Sequence, residues 1–235
     1  MREELRRYFS EFGGSIQNKS HSAALDYLDK TESLRGLVAQ YLGIEETHLV
    51  SFQPNSYYLE EIVFENLNLD ESWTVITDDP LREEFKKAHS VRSLEDLGGL
   101  DKSSKLLLWV SQSFRLSLNQ IRGIERLLKG NKDVVSYFSV DKGLLEAHQF
   151  RSLWTKASFV SLNPAEGLKE FGTVFLCFSK TINLKPVMLG SHASSFGLGS
   201  KEIEVKELPY SLEIGTQNVI SLLYLEKVFS SLVNS

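Results

Sequence analysis

Short apolar stretches with strand character alternate with helical patterns along most of this chain, and that order limits the folds available to it. The stretch 105–110 is almost continuously apolar, as expected for an interior strand of a parallel sheet that is covered on both faces. Elsewhere, apolar residues recur at helical intervals between capping and turn residues. The pattern predicts helices over 2–12, 22–42, from 54–56 to about 66, 81–88, 118–130 and 218–232, and strands over 48–52, 73–77, 105–110, 134–138, 158–161 and 172–179.

This alternation predicts an α/β fold, with a mainly parallel sheet and helices on both of its faces. The chain has 235 residues, of which 42% are hydrophobic, which is enough for one domain with a sizeable core. We expect residues 1–20 to form an N-terminal helix and arm, and residues 21–235 to form a single α/β domain. The stretch 181–206 is the least readable part of the sequence, and within it Phe196-Gly-Leu-Gly-Ser200 is interpreted as a loop rather than a phosphate-binding turn, because it does not open a helix after a strand.

Composition argues against several classes of function. The formal net charge of −5 is opposite to the basic balance that favours nucleic-acid binding. No apolar run is long enough for a membrane span, and the N-terminus lacks the pattern of a secretory signal. Cys177 is the single cysteine, so no internal disulfide and no cysteine-rich zinc site is expected. These features predict a cytoplasmic protein with no metal, nucleic-acid or membrane partner.

The stretch 161–178 carries the most specific pattern in the chain. Ser161-Leu-Asn-Pro164 is followed by Gly167 and Gly172 and then by an apolar strand. This order resembles the cofactor-lysine segment of fold-type-I pyridoxal-phosphate enzymes, in particular the class V aminotransferases and cysteine desulfurases. In that family the segment reads Ser-x-His-Lys before a glycine-rich run. The resemblance places Pro164 where the family has its lysine.

Other stretches resemble the same family in the same order, from about His21 to the C-terminus. Residues 18–43, with Arg35 in a long helix, are similar to the family's first helix, and residues 49–56 are similar to the strand and turn before its phosphate-binding threonines. Glu213-Ile-Gly-Thr-Gln-Asn218 is similar to the family's Gly-Thr-Pro-Asn signature. The molybdenum-cofactor sulfurases are a possible nearer relative within this resemblance.

The resemblance implies that the chemistry of the family is missing. Proline has no amine with which to form a Schiff base to pyridoxal phosphate. Lys156 and Lys169 flank the segment and are the fallback candidates, although most lysines are exposed surface residues. The family's aspartate at the pyridine nitrogen falls on Phe138. Asp141 would serve only after a shift of register and is otherwise a turn residue.

The phosphate-binding positions keep polar residues. Asn55 and Ser56 stand where a helix N-terminus would offer hydroxyl and backbone N–H groups to a phosphate. Thr216 matches the threonine that reaches the cofactor phosphate of the neighbouring subunit in the family. For each of these residues the alternative is an ordinary helix cap, because asparagine, serine and threonine are favoured there.

The resemblance also implies a homodimer formed through the large domain. Family enzymes continue into a C-terminal small domain that closes over the substrate, whereas this sequence stops at Ser235, so we expect the small domain to be missing. Our first hypothesis is a non-catalytic relative that acts as a binding or dimerising module and holds no cofactor. The alternative is a pyridoxal-phosphate enzyme of the aminotransferase or desulfurase type that uses a non-aligned lysine. A third hypothesis is an α/β scaffold that binds another phosphorylated small molecule at Asn55 and Ser56.

Overall fold

Described helices pack on a seven-stranded sheet, and six of its strands lie along the chain where the sequence predicts them, to within about two residues. The computed structural model describes residues 3, 6, 22–88, 90–95, 97, 105–130, 133–140, 144–168, 172–190, 194–196, 203–215 and 218–234. Among these residues the helices are α1 (Ser22–Leu42), α2 (Ser56–Leu67), α3 (Leu118–Gly130), α4 (Arg151–Trp154), α5 (Pro164–Leu168) and α6 (Val219–Asn234). None of the described helices is both long and apolar enough to span a membrane.

The sheet is mixed but mostly parallel. Its order is β1-β7-β6-β5-β4-β2-β3, and β7 runs antiparallel to both of its neighbours. The other described pairs, β2 with β3 and β4, β4 with β5, and β5 with β6, are parallel. The predicted fold class is therefore confirmed. The strands are β1 (His48–Gln53), β2 (Trp73–Thr77), β3 (Ser90–Ser93), β4 (Lys105–Val110), β5 (Val134–Ser139), β6 (Phe159–Leu162) and β7 (Val174–Ser179), with β8 (Ser194–Phe196) and β9 (Ile203–Val205) in a separate ribbon.

Alternate residues of the central strands enter two different cores. In β4, Leu106, Leu108 and Val110 belong to the core that also contains side chains of α1 and α6. Leu107 and Trp109 belong to the second core, against α2. Because side chains alternate along a strand, this division shows that helices cover both faces of the sheet.

Local signals placed several element ends correctly. The helix over 22–42 and the strands over 73–77 and 105–110 have the predicted ends. Ser117 and Gln120 form the expected capping box: the Gln120 side chain accepts from Ser117 N at 2.9 Å, and Ser117 Oγ accepts from Gln120 N at 3.3 Å. Gly43, just after α1, has a φ of 71°, a conformation that glycine adopts at little cost.

The helix predicted over 81–88 is wrong. The chain there forms only a 3-10 turn, Glu83–Lys87, preceded by Arg82 in an extended conformation. Tertiary contacts favour this conformation over a helix, because the Arg82 guanidinium packs over the rings of Phe64 and Trp109. Strands β3, β8 and β9 are additional to the predicted set, while the helix predicted over 2–12 lies almost entirely outside the described residues.

A buried ion pair joins three distant parts of the chain. Arg35 of α1 lies 2.7 Å from the fully buried carboxylate of Glu213, and the backbone N–H of Phe52 in β1 donates to the same oxygen at 2.9 Å. The guanidinium also lies 4.3 Å above the Phe52 ring and 3.2 Å from Glu32. Burial by itself lowers the pKa of Arg35, but the charges and hydrogen bonds of Glu213, and then of Glu32, outweigh it and raise that pKa.

Glu213→Gln should therefore destabilise the fold strongly. The change leaves the Arg35 charge buried without its main counterion, which typically costs about 3–5 kcal/mol of unfolding free energy. Urea denaturation followed by circular dichroism measures this loss. The matched control is Glu83→Gln, which breaks the exposed pair between Glu83 and Lys86, and its effect should stay within about 0.5 kcal/mol. Equal effects of the two changes would contradict a structural role for the buried pair.

His48 is buried at the start of β1, at the other end of this strand from Phe52. Its Nε2 donates to the carbonyl oxygen of Ala157 at 2.9 Å, and its Nδ1 accepts from the Thr47 hydroxyl at 2.8 Å. Burial lowers the pKa of His48, the hydrogen bond to Ala157 opposes this shift, and the positive charge of Lys180 adds to it. The side chain therefore stays neutral in the folded protein at pH values where an exposed histidine takes up a proton.

The lowered pKa of His48 makes the stability of the protein depend on pH. Below about pH 6.5 the unfolded chain binds a proton at this histidine while the folded chain resists it, so the unfolding free energy falls as the pH falls. His48→Gln removes this contribution. We expect the variant to lose less stability than the unmodified protein between about pH 7.5 and pH 5 in urea titrations. Identical pH profiles would refute the assignment.

Candidate functional site

The candidate site lies at the carboxyl ends of the parallel strands, which is where open α/β sheets bind ligands. Three described helices begin there with an asparagine cap, and α2 and α5 are the two that follow strands β1 and β6 directly. Asn55 Oδ1 accepts from Tyr58 N at 2.8 Å at the start of α2, and Asn163 Oδ1 accepts from Ala165 N at 3.0 Å at the start of α5. Both caps are neutral, so they satisfy backbone donors without adding negative charge to this edge.

The start of α6 reaches the same edge. Asn218 Oδ1 accepts from Ser221 N at 3.2 Å, which caps the helix. Gly172 precedes the antiparallel strand β7 and has a φ of 99°. A side chain added at Gly172 would come within 2.7 Å of the Asn218 amide nitrogen. Gly172 is therefore favoured here both for its backbone conformation and for this close approach.

A side-chain contact connects two of the predicted positions. The Asn163 amide nitrogen donates to Ser56 Oγ at 3.1 Å, joining the end of β6 to the first turn of α2. Pro164 follows directly as the buried first residue of α5. Proline suits that position because the first N–H of a helix has no partner within the helix and the φ of proline is already helical.

Other predicted positions are less favourable for a cofactor. Phe138, which the sequence resemblance matches to the family's aspartate, has no exposed surface and belongs to the core on the side of α1 and α6. Lys156 precedes β6 and so lies at the opposite edge of the sheet from Pro164, where its Nζ is 3.7 Å from Glu125. Asp141, Lys169 and Thr216 lie outside the described residues.

A chain of polar side chains runs beneath α2, near the carboxyl ends of the strands. Arg82, after β2, lies 2.6 Å from Glu60 of α2. The Tyr137 hydroxyl of β5 donates to the other Glu60 oxygen at 3.3 Å and lies 2.8 Å from Ser161 Oγ of β6. Tyr137 is only 1% exposed, so its hydroxyl depends on these partners.

Aromatic rings lie against this polar chain. Trp109 stacks on Tyr137 with ring centroids 3.8 Å apart and on Phe64 at 4.5 Å. The Arg82 guanidinium lies 5.0 Å from the centroids of both Phe64 and Trp109. Burial lowers the pKa of Arg82, but the hydrogen bond and charge of Glu60 outweigh it, so the pKa is raised. The arginine therefore remains charged and fixes the loop after β2 onto the sheet.

The loops after β2 and β4 are also joined. The Asp78 carboxylate accepts from Ser111 N at 2.7 Å and from Gln112 N at 2.8 Å. Asp78, which follows β2, therefore holds the turn that follows β4. Among the described residues, no group of three or more His, Cys, Asp or Glu side chains is placed to hold a metal ion.

Sequence reasoning did not identify Glu60, Arg82, Tyr137 and Ser161 as a group. One signal was present, because Glu60 stands beside the apolar stripe of α2 formed by Leu59, Ile62 and Val63. A carboxylate at the border of a buried face usually has a partner. The identity of that partner depends on which strands lie beneath the helix.

Comparison with solved structures assigns the fold. The apo cysteine desulfurase of Thermococcus onnurineus NA1 matches with a TM-score of 0.71 and 17% identity, covering 99% of this chain and 64% of that one. A phosphoserine aminotransferase, SerC, from Cytophaga hutchinsonii matches with a TM-score of 0.63 and 12% identity, covering 99% and 67%. A variant of C-DES with glycine covalently linked to its PLP cofactor matches with a TM-score of 0.67 and 13% identity, covering 98% and 66%.

These likenesses show that the chain has the fold of fold-type-I pyridoxal-phosphate enzymes, as the sequence motifs predicted. The chain spans about 64% of the length of the cysteine desulfurases that it matches. No protein-family model matches the sequence, and no curated protein matches it in a sequence search. The likeness is therefore one of fold, and the identities of 12–17% to these three structures leave the activity open.

Tyr137→Phe tests whether the polar chain stabilises the fold. The change keeps the ring stack with Trp109 and removes only the hydroxyl between Glu60 and Ser161. Because buried partners are left unsatisfied, we expect a loss of about 1–3 kcal/mol of unfolding free energy in urea titrations. The control Tyr57→Phe removes an exposed hydroxyl and should leave the unfolding midpoint unchanged. An unchanged midpoint for Tyr137→Phe would contradict the proposed network.

Proposed function

We propose that this chain is a non-catalytic relative of the cysteine desulfurases and class V aminotransferases, and that it acts as a binding or dimerising module. In this proposal it holds no pyridoxal phosphate. The observation that carries the proposal is Pro164, a buried proline that opens α5 at the carboxyl end of β6. At the position that corresponds to the family's lysine, this residue offers no nitrogen for a covalent link to a carbonyl cofactor.

The surroundings of Pro164 support the proposal. Both polar atoms of the Asn163 side chain form hydrogen bonds, because its oxygen caps α5 and its nitrogen donates to Ser56. A lysine introduced at position 164 would therefore lie beside Asn163 and Ser56, which are already hydrogen-bonded to each other at the start of a helix. Among the described residues, this turn is held by internal hydrogen bonds and presents no side-chain amine.

Phe138 supports the proposal from the next strand. A protonated pyridine nitrogen needs a carboxylate partner for the ring to act as an electron sink. Phe138 offers only a hydrocarbon ring, and this ring lies 5.7 Å from that of Trp154 within the core. The residues at both positions therefore do not fit pyridoxal phosphate, and we derive no catalytic step through it.

The residues predicted to bind phosphate also support a protein without a cofactor. Asn55 uses its side-chain oxygen on the backbone N–H of Tyr58, and the Ser56 hydroxyl receives the amide of Asn163. A phosphate at this end of α2 would compete with both contacts. Helix capping explains these two residues without a ligand.

The alternative function is a pyridoxal-phosphate enzyme with a displaced lysine. Lys156 is a poor candidate for that role, because β6 separates it from Pro164 and it lies near Glu125. A four-residue strand spans roughly 13 Å, which is too far for a lysine at one end to replace one at the other. Lys169 is the remaining flanking candidate.

Labelling with pyridoxal phosphate separates the two functions. The purified protein is incubated with the cofactor, reduced with borohydride and digested for mass spectrometry, with E. coli CsdA, a cysteine desulfurase of the same fold, treated in parallel. After free cofactor is removed, we expect low labelling spread over surface lysines and no stoichiometric protein-bound absorbance band before reduction. One adduct per chain at a single lysine would overturn the proposal. Lys156→Ala and Lys169→Ala then identify the lysine, because only the correct substitution abolishes the adduct.

A further inference from the structure

Helix α3 carries a row of positive side chains on its exposed side. Arg122, Arg126 and Lys129 are all exposed, and they occupy helical positions i, i+4 and i+7, which lie on one side of a helix. The row extends over about 10 Å of the helix axis. The opposite side of α3 contributes Ile124 to the core shared with α1 and α6. The row is therefore exposed to solvent on the face of the sheet that α2 does not cover.

A groove of about 410 Å³ follows this row. It is lined by three cationic side chains and one carboxylate, namely Arg122, Arg126, Lys129 and Glu125. The Ser152 hydroxyl donates to Glu125 Oε1 at 2.8 Å, and Lys156 Nζ lies 3.7 Å from the same oxygen. The hydrogen bond from Ser152 lowers the pKa of Glu125, slight burial opposes this shift, and the charges of Lys156 and Lys129 add to it. Because Lys156 partly neutralises Glu125, the groove keeps an excess of positive charge.

The cations of the row lack a counterion within the part of the chain that the structure describes. None of the salt bridges there involves Arg122, Arg126 or Lys129. Arg126 Nε donates to the carbonyl oxygen of Arg122 at 3.2 Å, a bond that uses only one of the three guanidinium nitrogens. Like charges at positions i and i+4 of a helix repel each other. Carboxylates brought to the row therefore gain attraction and relieve this repulsion.

An exposed apolar residue stands at one end of the row. Leu118, the first residue of α3, is 73% exposed and lies four positions before Arg122 on the same side of the helix. A single exposed leucine is common, but here it adjoins three cations, a combination that a peptide with acidic and apolar side chains can match. The net charge of −5 opposes binding of nucleic acid, and the apolar side of α3 is buried in the core and cannot enter a membrane.

We propose that Leu118, Arg122, Arg126 and Lys129, which we name the α3 surface, bind an acidic segment of a partner protein. The segment presents carboxylates to the three cations and an apolar side chain to Leu118. Arginine suits this task because its planar guanidinium binds a carboxylate through two parallel hydrogen bonds. This inference rests on the proposed binding function and identifies its surface and the chemical class of its partner. None of the residues matched to cofactor positions takes part in it.

An acidic peptide with matching spacing tests the inference. The probe is a fluorescein-labelled, alanine-rich peptide with glutamates at i, i+4 and i+7 and a leucine at each end. Its control peptide has glutamine in place of each glutamate. Fluorescence anisotropy at low salt measures both dissociation constants. We expect the glutamate peptide to bind about tenfold or more tightly than the glutamine peptide, and added salt to reduce this difference.

Substitutions on α3 locate the binding site. Arg122→Glu and Arg126→Glu should each weaken binding of the glutamate peptide about tenfold or more, whereas Arg126→Lys should retain most of it. Leu118→Ala should weaken binding about threefold, because it removes apolar contact area and no charge. The matched control is Lys87→Glu, at an exposed cation beside α2. It changes the net charge equally and should leave the affinity within about twofold.

Three outcomes overturn the inference. They are absence of binding by the glutamate peptide, equal weakening by Lys87→Glu and the changes on α3, and tighter binding of another polyanion that the α3 changes abolish. The polyanions used are a fluorescein-labelled DNA duplex and vesicles of phosphatidylserine and phosphatidylcholine. Circular dichroism shows that each variant remains folded. Failure of the peptide to bind counts against the α3 surface alone, whereas a stoichiometric pyridoxal-phosphate adduct counts against the non-catalytic proposal alone.

Discussion

The buried pair between Arg35 and Glu213 is the interaction on which the arrangement of the site depends. Glu213 lies just before the segment that leads into α6, and it is held by α1 through Arg35 and by β1 through the backbone of Phe52. A charge without exposure to water needs such partners, because desolvation otherwise outweighs any gain from packing. This pair connects two of the stretches that resemble the cysteine desulfurase family, the long first helix and the Gly-Thr segment. It therefore holds these two stretches together within the fold.

At the carboxyl ends of the parallel strands, the residues that the resemblance matches to cofactor positions complete the structure of the chain itself. Pro164 starts a helix, Asn55 and Asn163 cap helices, and Phe138 belongs to the core. Each of these roles satisfies a backbone donor or fills a volume that would otherwise be costly. The result is an edge stabilised by internal contacts.

The sequence predicted the fold class, most strands and the longer helices, because apolar periodicity and caps are local. The helix over 22–42 and the strand over 105–110 appear as predicted. The helix predicted over 81–88 does not form, because Arg82 packs against Trp109 and Phe64 instead. The sequence also provided no indication of the chain formed by Arg82, Glu60, Tyr137 and Ser161. These residues are up to about a hundred positions apart, and no local pattern links them.

By itself, the sequence determined that the chain alternates strands with helices, and its resemblance to the family predicts that Pro164 stands at the family's lysine position. Both rest on residue identity and local spacing. Only the tertiary structure decided that Asn163 is joined to Ser56, that Lys156 lies at the wrong edge of the sheet, and that the apolar residues of β9 are exposed. Contacts of this kind depend on strand order and direction. Strand order arises from the packing of the whole chain, because no single segment contains both members of such a pair.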